Sequence, residues 1–185
     1  MAELTLLAEE VGVSERTLRR AVNEGSLRGT RPSPRKLRLS LSERGYIRRS
    51  WPLISALRTA LRTEPNVRFA LLFGSAARGT DTSASDVDIL VHVRDASLER
   101  IVELGAKLTE IVGRRVDVVR LQDAEAEPSF LADVASNGRV LVDREGLWPR
   151  LGPREATLRE RGRRYEAQRA EAALAGIDRL LGAQG

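Results

Sequence analysis

The stretch Phe73-Gly74-Ser75-Ala76-Ala77-Arg78-Gly79-Thr80-Asp81-Thr82-Ser83-Ala84-Ser85-Asp86-Val87-Asp88-Ile89-Leu90-Val91 decides how the chain is read. Upstream of it, Val67 to Phe73 is an apolar run that reads as a buried strand and stops abruptly at Gly74. A glycine has no Cβ, so the backbone at Gly74 can approach a phosphate closely. The Ser75 hydroxyl and the N–H groups of the next helix start can then donate to its oxygens. Ten residues separate Ser75 from Asp86-Val87-Asp88, which opens a second strand, Val87 to Val93. Strand geometry turns Asp86 and Asp88 to the same face. Two like charges that close repel unless a cation lies between them, and a set of oxygen ligands suits Mg²⁺. A third acid stands in Arg115-Val116-Asp117-Val118-Val119, where alternation predicts a neighbouring strand. Three carboxylates can hold two metal ions.

Gly74-Ser75, ten residues, Asp86-Val87-Asp88 and a later strand aspartate, Asp117, resemble the minimal nucleotidyltransferase family of the DNA polymerase β superfamily. The similarity spans about residues 66 to 147. It implies a small mixed sheet flanked by helices, with Gly74 and Ser75 on the phosphates of ATP or another nucleoside triphosphate; beside them the Arg78 cation is expected to steady the phosphates. It also implies Asp86, Asp88 and Asp117 as catalytic ligands of two Mg²⁺ ions. The transfer expected of such a site moves a nucleoside monophosphate to an acceptor hydroxyl as pyrophosphate leaves, with Asp117 able to accept the proton. For Arg78 a plain helix-start role is the alternative. His92 lies on the carboxylate side but further along the strand, where a lone histidine reads as packed or solvated. Asp81, Asp95 and Asp123 read as loop or cap residues.

The N-terminal segment is of another kind. Thr5 is expected to cap a short helix through Val11 that turns Leu6, Leu7 and Val11 inward, and Gly12 supplies a turn. Ser14 then caps a second helix with Leu18, Ala21 and Val22 on one face and Glu15, Arg16, Arg19, Arg20 and Asn23 on the other. Gly25 ends it. Ser26 to Thr30 and Lys36 to Ser40 are expected to form two strands joined across Arg31 to Arg35, a basic wing. The order helix, turn, helix, wing resembles MerR and excisionase-like DNA-binding modules over about residues 1 to 48, through Leu7-Ala8-Glu9-Glu10-Val11-Gly12-Val13-Ser14-Glu15-Arg16-Thr17-Leu18-Arg19-Arg20. That resemblance implies Arg16, Thr17, Arg19, Arg20 and Asn23 in a major groove, and Arg31, Arg35 and Lys36 beside it, on an operator of double-stranded DNA. A small helical domain used only for protein contacts is the alternative.

Charge follows the same division. Residues 1 to 50 hold 11 Lys and Arg against 6 Asp and Glu, whereas residues 51 to 185 hold 20 of each. The whole excess therefore falls on the segment expected to meet phosphate. The chain has no cysteine, which excludes disulfides and thiolate metal sites. No apolar run approaches the roughly 18 residues of a membrane span, and no signal peptide is evident, so a soluble cytoplasmic protein is expected.

The expected architecture is α+β: a winged helix-turn-helix over residues 1–48, a connecting helix over 49–65, the nucleotidyltransferase domain over 66–147 and a helical tail over 148–185. Leu41 to Thr63 reads as helical, broken in two near Gly45 and Trp51-Pro52, with Trp51 packing between domains. Ser97 to Val112 reads as a helix with Leu98, Ile101, Val102, Leu108 and Val112 apolar. A short helix is expected around Phe130 to Ala135 and a last strand over Arg139 to Val142. The tail helix, Arg154 to Leu181, has Leu158, Tyr165, Leu174, Ile177, Leu180 and Leu181 as its larger apolar residues. Its Arg161, Arg163 and Arg164 alternate with acids and read as a solvated face.

Nucleotidyltransferases of this kind act as antitoxins on a partner toxin, often an HEPN ribonuclease, or on tRNA ends. With a DNA-binding module attached, the resemblance implies an autoregulating antitoxin, and a homodimer, since paired helix-turn-helix modules read paired half-sites. The alternative is a transcription regulator whose nucleotidyltransferase domain only senses nucleotide. Antibiotic nucleotidylation fits less well, because it has no use for a basic helix-turn-helix.

Overall fold

The computed structural model describes residues 2–33, 36–151 and 155–182. Pro34, Arg35, Pro153 and Arg154 lie outside them, as do the side chains of Leu174, Ile177, Leu180 and Leu181.

The chain opens with α1 (Ala2–Glu10) and α2 (Glu15–Asn23). Between them Gly12 takes φ +71°, and Ser14 caps α2 by accepting from the Thr17 amide at 3.1 Å. Leu18 and Ala21 are buried as the spacing predicts. Two expectations for α1 fail. Thr5 lies inside the helix, which starts at Ala2, and gives its hydroxyl to Glu15; Leu6 is 57% exposed because the stripe that meets the core runs through Leu4, Leu7, Ala8 and Val11. A hairpin follows, β1 (Thr30–Ser33) antiparallel to β2 (Lys36–Arg38), with Thr30 opposite Arg38. The first strand was expected over Ser26 to Thr30. It starts at Thr30 instead because Ser26 and Leu27 are buried against the rest of the protein.

The helix α3 (Leu41–Arg62) is one unbroken element with Pro52 inside it. A proline there forfeits a helical hydrogen bond and costs about 3 kcal/mol. The buried stripe through Tyr46, Ile47, Trp51, Ile54, Leu57 and Leu61 continues across the proline and outweighs that cost, so the expected break is absent.

The elements that follow are β3 (Val67–Phe73), α4 (Gly74–Arg78), β4 (Val87–Val93), α5 (Leu98–Val112), β5 (Val116–Arg120), α6 (Leu121–Ala124), α7 (Pro128–Asn137), β6 (Arg139–Asp143), α8 (Trp148–Leu151) and α9 (Glu155–Gly182). Four strands form one mixed sheet in the order β5-β4-β3-β6, in which β3 is antiparallel to β4 and β6, and β4 is parallel to β5. Helices cover both faces, so β3 reads as a continuous apolar run. Val67, Ala70 and Leu72 join a core that continues into α3, α5 and the N-terminal helices, while Phe69, Leu71 and Phe73 join a second core with α6, α7 and Leu158 of α9. On α5 the inward stripe is Ile101, Leu104, Leu108 and Val112. Leu98 and Val102, expected on it, are 76% and 61% exposed because the stripe that meets the core runs one side of them. The helix α9 packs on α7, where Gly162 lies so close to Ser129 that a Cβ would stand 2.8 Å from its backbone. Arg164 pairs with Glu160 at 2.5 Å, as a solvated face requires. No helix among the described residues is long and apolar enough to cross a membrane.

The N-terminal segment is joined to the sheet by a buried polar cluster. Arg139 of β6 and Glu43 of α3 form a two-pronged ion pair, 2.6 and 2.9 Å, with side chains 3% and 5% exposed. Glu43 also accepts from the Arg28 amide at 2.8 Å, and the Arg139 guanidinium lies 3.4 Å over the Tyr46 ring. Beside them the Ser26 hydroxyl donates to the Val140 carbonyl, the Val140 amide donates to the Gly25 carbonyl at 3.0 Å, and Arg58 bonds Glu24 and Ser26. Removing one partner of such a pair strands a charge in the interior. Glu43→Ala is therefore expected to lower unfolding free energy by about 3–5 kcal/mol. The double change Glu43→Ala with Arg139→Met should lose less than the single one. Urea denaturation of the three chains checks this, and a single-variant loss under about 1 kcal/mol would contradict it.

Candidate active site

The site is built where β3 ends and β4 begins. Antiparallel pairing sets Phe73 opposite Asp88, so the turn that follows β3 lies against the carboxylates that open β4. Gly74 takes φ +69°, and a Cβ on it would stand 2.1 Å from Asp88 Oδ2. Only glycine permits this approach. The short helix α4 starts here, and its N-cap, Phe73, supplies no side-chain acceptor to the first amides. At the other end of α4 the Gly79 and Thr80 amides donate to the Ser75 carbonyl at 2.9 and 3.1 Å.

The parallel pairing of β4 with β5 sets Asp117 opposite Asp88. Asp86 is exposed, while Asp88 and Asp117 are half-buried. Burial, then the negative charges of Asp117 and Asp86, push the Asp88 carboxyl above its ordinary range, and Arg78 acts in the opposite sense. Asp117 Oδ1 accepts from Arg115 Nε at 3.0 Å. Among the described residues no three metal-type side chains are already gathered tightly enough to grip an ion. The donor chemistry nonetheless fits a hard divalent cation: two carboxylates on adjoining strands and a third just before one of them, with Asp88 destabilised by the other two, beside a backbone gap that a Cβ would fill. Arg78 closes α4 at 4.0 Å from Asp133 and is near enough to Asp88 to counter its charge. His92 lies outside the site, 3.6 Å from Glu145.

The loop between the two halves of the motif is fixed by residues the spacing did not single out. Arg114 pairs with Asp81 at 2.8 Å and donates twice to the Ser85 carbonyl, at 3.0 and 2.6 Å. This ties the start of β5 to the approach of β4. Asp81 reads from sequence as a loop residue without a partner, since its partner lies 33 positions away. Asp95 is a loop residue as expected and accepts from the Ser97 amide, whereas Asp123, expected in a loop or cap, lies inside α6 and pairs with Arg120, the residue that precedes the helix.

A carboxyl with a raised folded-state pKa holds its proton more tightly folded than unfolded. Its ionisation therefore removes stability as pH rises through the ordinary aspartate range toward the raised value. In chelator-containing buffer near neutral pH, Asp88→Asn is expected to melt above wild type, with the gap closing as pH falls toward about 4. Gly74→Ala, by contrast, should lose about 1–3 kcal/mol from the positive φ and displace Asp88. Melting curves of the two variants across pH read both effects. An Asp88→Asn chain less stable than wild type at neutral pH would reject the electrostatic account.

Comparison with known proteins bears on this geometry. The family described as Polymerase beta, Nucleotidyltransferase matches residues 56–146. A putative protein adenylyltransferase of Methanocaldococcus jannaschii is 33% identical over 92 residues, covering 48% of this chain and 89% of that protein. Among solved structures, a toxin-antitoxin with AMP-PNP is similar at TM-score 0.49 and 25% identity, covering 69% of this chain and 98% of that one. A tri-AMPylated HEPN toxin in complex with MNT antitoxin from Shewanella oneidensis is similar at TM-score 0.42 and 23% identity, covering 71% and 95%. With the matched span enclosing Gly74, Asp86, Asp88 and Asp117, the chain belongs to the polymerase beta nucleotidyltransferase family and is itself a nucleotidyltransferase.

Proposed function

We propose that this nucleotidyltransferase transfers AMP from ATP to a hydroxyl of a protein or RNA acceptor, and that its N-terminal segment binds an operator, as an autoregulating antitoxin does. The observation that carries the transfer reading is the close approach of Gly74 to Asp88, with the charges of Asp86 and Asp117 acting on it and no side chain capping the first amides of α4. Gly74 and Ser75 bind the triphosphate through the start of α4, and Arg78 adds a cation at its far end. Asp86, Asp88 and Asp117 would hold Mg²⁺, which when bound neutralises phosphate charge and lowers the pKa of the acceptor hydroxyl. Asp117 takes the acceptor's proton, the acceptor oxygen bonds to the α-phosphorus, and the bond to pyrophosphate breaks on the opposite side. A protein acceptor is favoured by the M. jannaschii relative, named as a putative protein adenylyltransferase. Incubation with labelled ATP, Mg²⁺ and the product of the neighbouring gene is expected to label that partner. Asp86→Ala should reduce the labelling by at least about 10²-fold. Equal labelling by the variant would defeat the assignment, and ATP binding with no labelling of any partner would leave a nucleotide-sensing regulator.

The DNA reading is supported by charge and exposure. On α2 the side chains of Arg16, Thr17, Arg20 and Asn23 are exposed. Arg19 is half-buried and bonded to Glu15 at 3.3 Å, and Arg20 reaches Glu24 at 2.7 Å. Arg31 and Lys36 stand exposed on the hairpin, and Arg31 donates to the Arg19 carbonyl at 3.4 Å, which ties the hairpin to α2. A homodimer on paired half-sites completes this reading. Replacing Arg16 and Arg19 together by Ala should weaken binding to the chain's own promoter fragment by at least about 10-fold and flatten its salt dependence. Unchanged binding would remove the DNA contact from the proposal.

A further inference from the structure

The helix α4 has only five residues, so most of its carbonyls have no partner within the helix. Three carbonyls in and just after it receive side-chain donors from distant parts of the chain. The Tyr46 hydroxyl donates to the Ala76 carbonyl at 3.1 Å, Arg139 Nε to the Ala77 carbonyl at 2.7 Å, and Arg49 to the Gly79 carbonyl at 3.0 Å. Tyr46 and Arg49 come from α3, and Arg139 is itself gripped by Glu43 of α3. The Tyr46 ring is packed so closely on Gly79 that a Cβ there would stand 2.7 Å from Cδ2. Burial pushes the Tyr46 phenol up to about 12, so it remains a proton donor to that carbonyl at any working pH.

The geometry points to Tyr46, Arg49 and Arg139 as positioning residues for nucleotidyl transfer, held on the far side of α4 from the triphosphate. A single helical turn moves as a unit. Whatever fixes its carbonyl end also fixes the amides at Gly74 and Ser75, and through Gly74 the distance to Asp88. The helix that carries the clamp also carries the N-terminal module, since Glu43 accepts from the Arg28 amide at the approach to the hairpin. The nucleotide cradle is thus completed by residues outside the strand-turn-strand motif that defines the site. This inference rests on the reading of α4 as the phosphate cradle.

The test uses the full chain, with Tyr46→Phe, Arg49→Met, the double variant, and Arg139→Lys. Hydrogen exchange of the Gly79 and Thr80 amides, without nucleotide, reads whether the clamp holds α4. Titration with ATP and Mg²⁺, and the KM and kcat of transfer, read whether that matters to the site. Each single change is expected to raise the ATP dissociation constant and KM by about 3–10-fold, and the double by more than either, with faster exchange of both amides. A merely structural role would lower the melting temperature and leave the dissociation constant and KM alone. If Arg139→Lys does not fold, Tyr46→Phe and Arg49→Met decide, because the first keeps the ring and the second is on the surface. ATP affinity within twofold of wild type in the double variant, with unchanged exchange, overturns the inference while leaving the proposed transfer intact. A wild-type chain that binds no nucleoside triphosphate overturns both.

Discussion

Burying a guanidinium and a carboxylate costs several kcal/mol per ion, and a protein recovers that only when the two meet in good geometry with their remaining donors and acceptors occupied. Glu43 and Arg139 meet those terms: two hydrogen bonds between them, a third from the Arg28 amide, a fourth from Arg139 to the Ala77 carbonyl, and a tyrosine ring beneath the guanidinium. Those contacts come from α3, β6, α4 and the chain entering the hairpin, with Glu43 and Tyr46 both on α3. The pair therefore admits one arrangement of α3, β6, α4 and the chain entering the hairpin, and any other arrangement leaves a charge unpaired. Apolar packing could tolerate a small slip at this junction; a satisfied ion pair in the interior does not.

The sheet supplies the complementary constraint. Because β3 is antiparallel to β4 while β5 is parallel to it, the turn after β3, the first residues of β4 and the first residues of β5 all lie at the same end. Asp88 and Asp117 are brought to that end by the strands themselves, and Asp86 is the loop residue just before β4. Both faces of the central strands are packed, which gives the charged end a stiff support. Arg114 then closes the remaining loop by holding Asp81 and the Ser85 carbonyl together.

What sequence could disclose followed the range of its signals. The strands Val67 to Phe73 and Val87 to Val93 appear where the apolar runs placed them, and Ser14 caps α2 as its position beside an amphipathic stretch foretold. The strand that carries Asp117 was legible from its alternation, whereas the register that sets Asp117 opposite Asp88 belongs to the sheet and leaves no local mark. Pro52 misled because its local cost is visible in sequence while the packing that offsets it is not. Leu98 and Val102 misled because a helix with apolar residues on two sides is oriented by its partner, here the surface that receives Leu104 and Leu108. The first strand of the hairpin starts later than expected because Ser26 is bonded to Val140, 114 positions away, and Leu27 is buried beside it. For the same reason the Glu43–Arg139 pair, 96 positions apart, left no mark in any local pattern.

The two charge clusters have opposite thermodynamic characters, and their placement explains how one fold sustains both. At Glu43–Arg139 opposite charges are fully satisfied, and the structure gains definition from them. At Asp88 and Asp117, half-buried on neighbouring strands, and Asp86, exposed just before β4, like charges act on one another, and Asp88 is held in a form that resists ionising. A free chain would relieve that repulsion by swinging the turn after β3 away from β4. Here the swing is blocked twice. The ladder between Phe73 and Asp88 holds one side of the turn, and the side chains of Tyr46, Arg49 and Arg139 hold the carbonyls on the other. The unfavourable electrostatics of this strand end thus persist because the favourable electrostatics of the junction lie behind it, on the other side of the turn after β3.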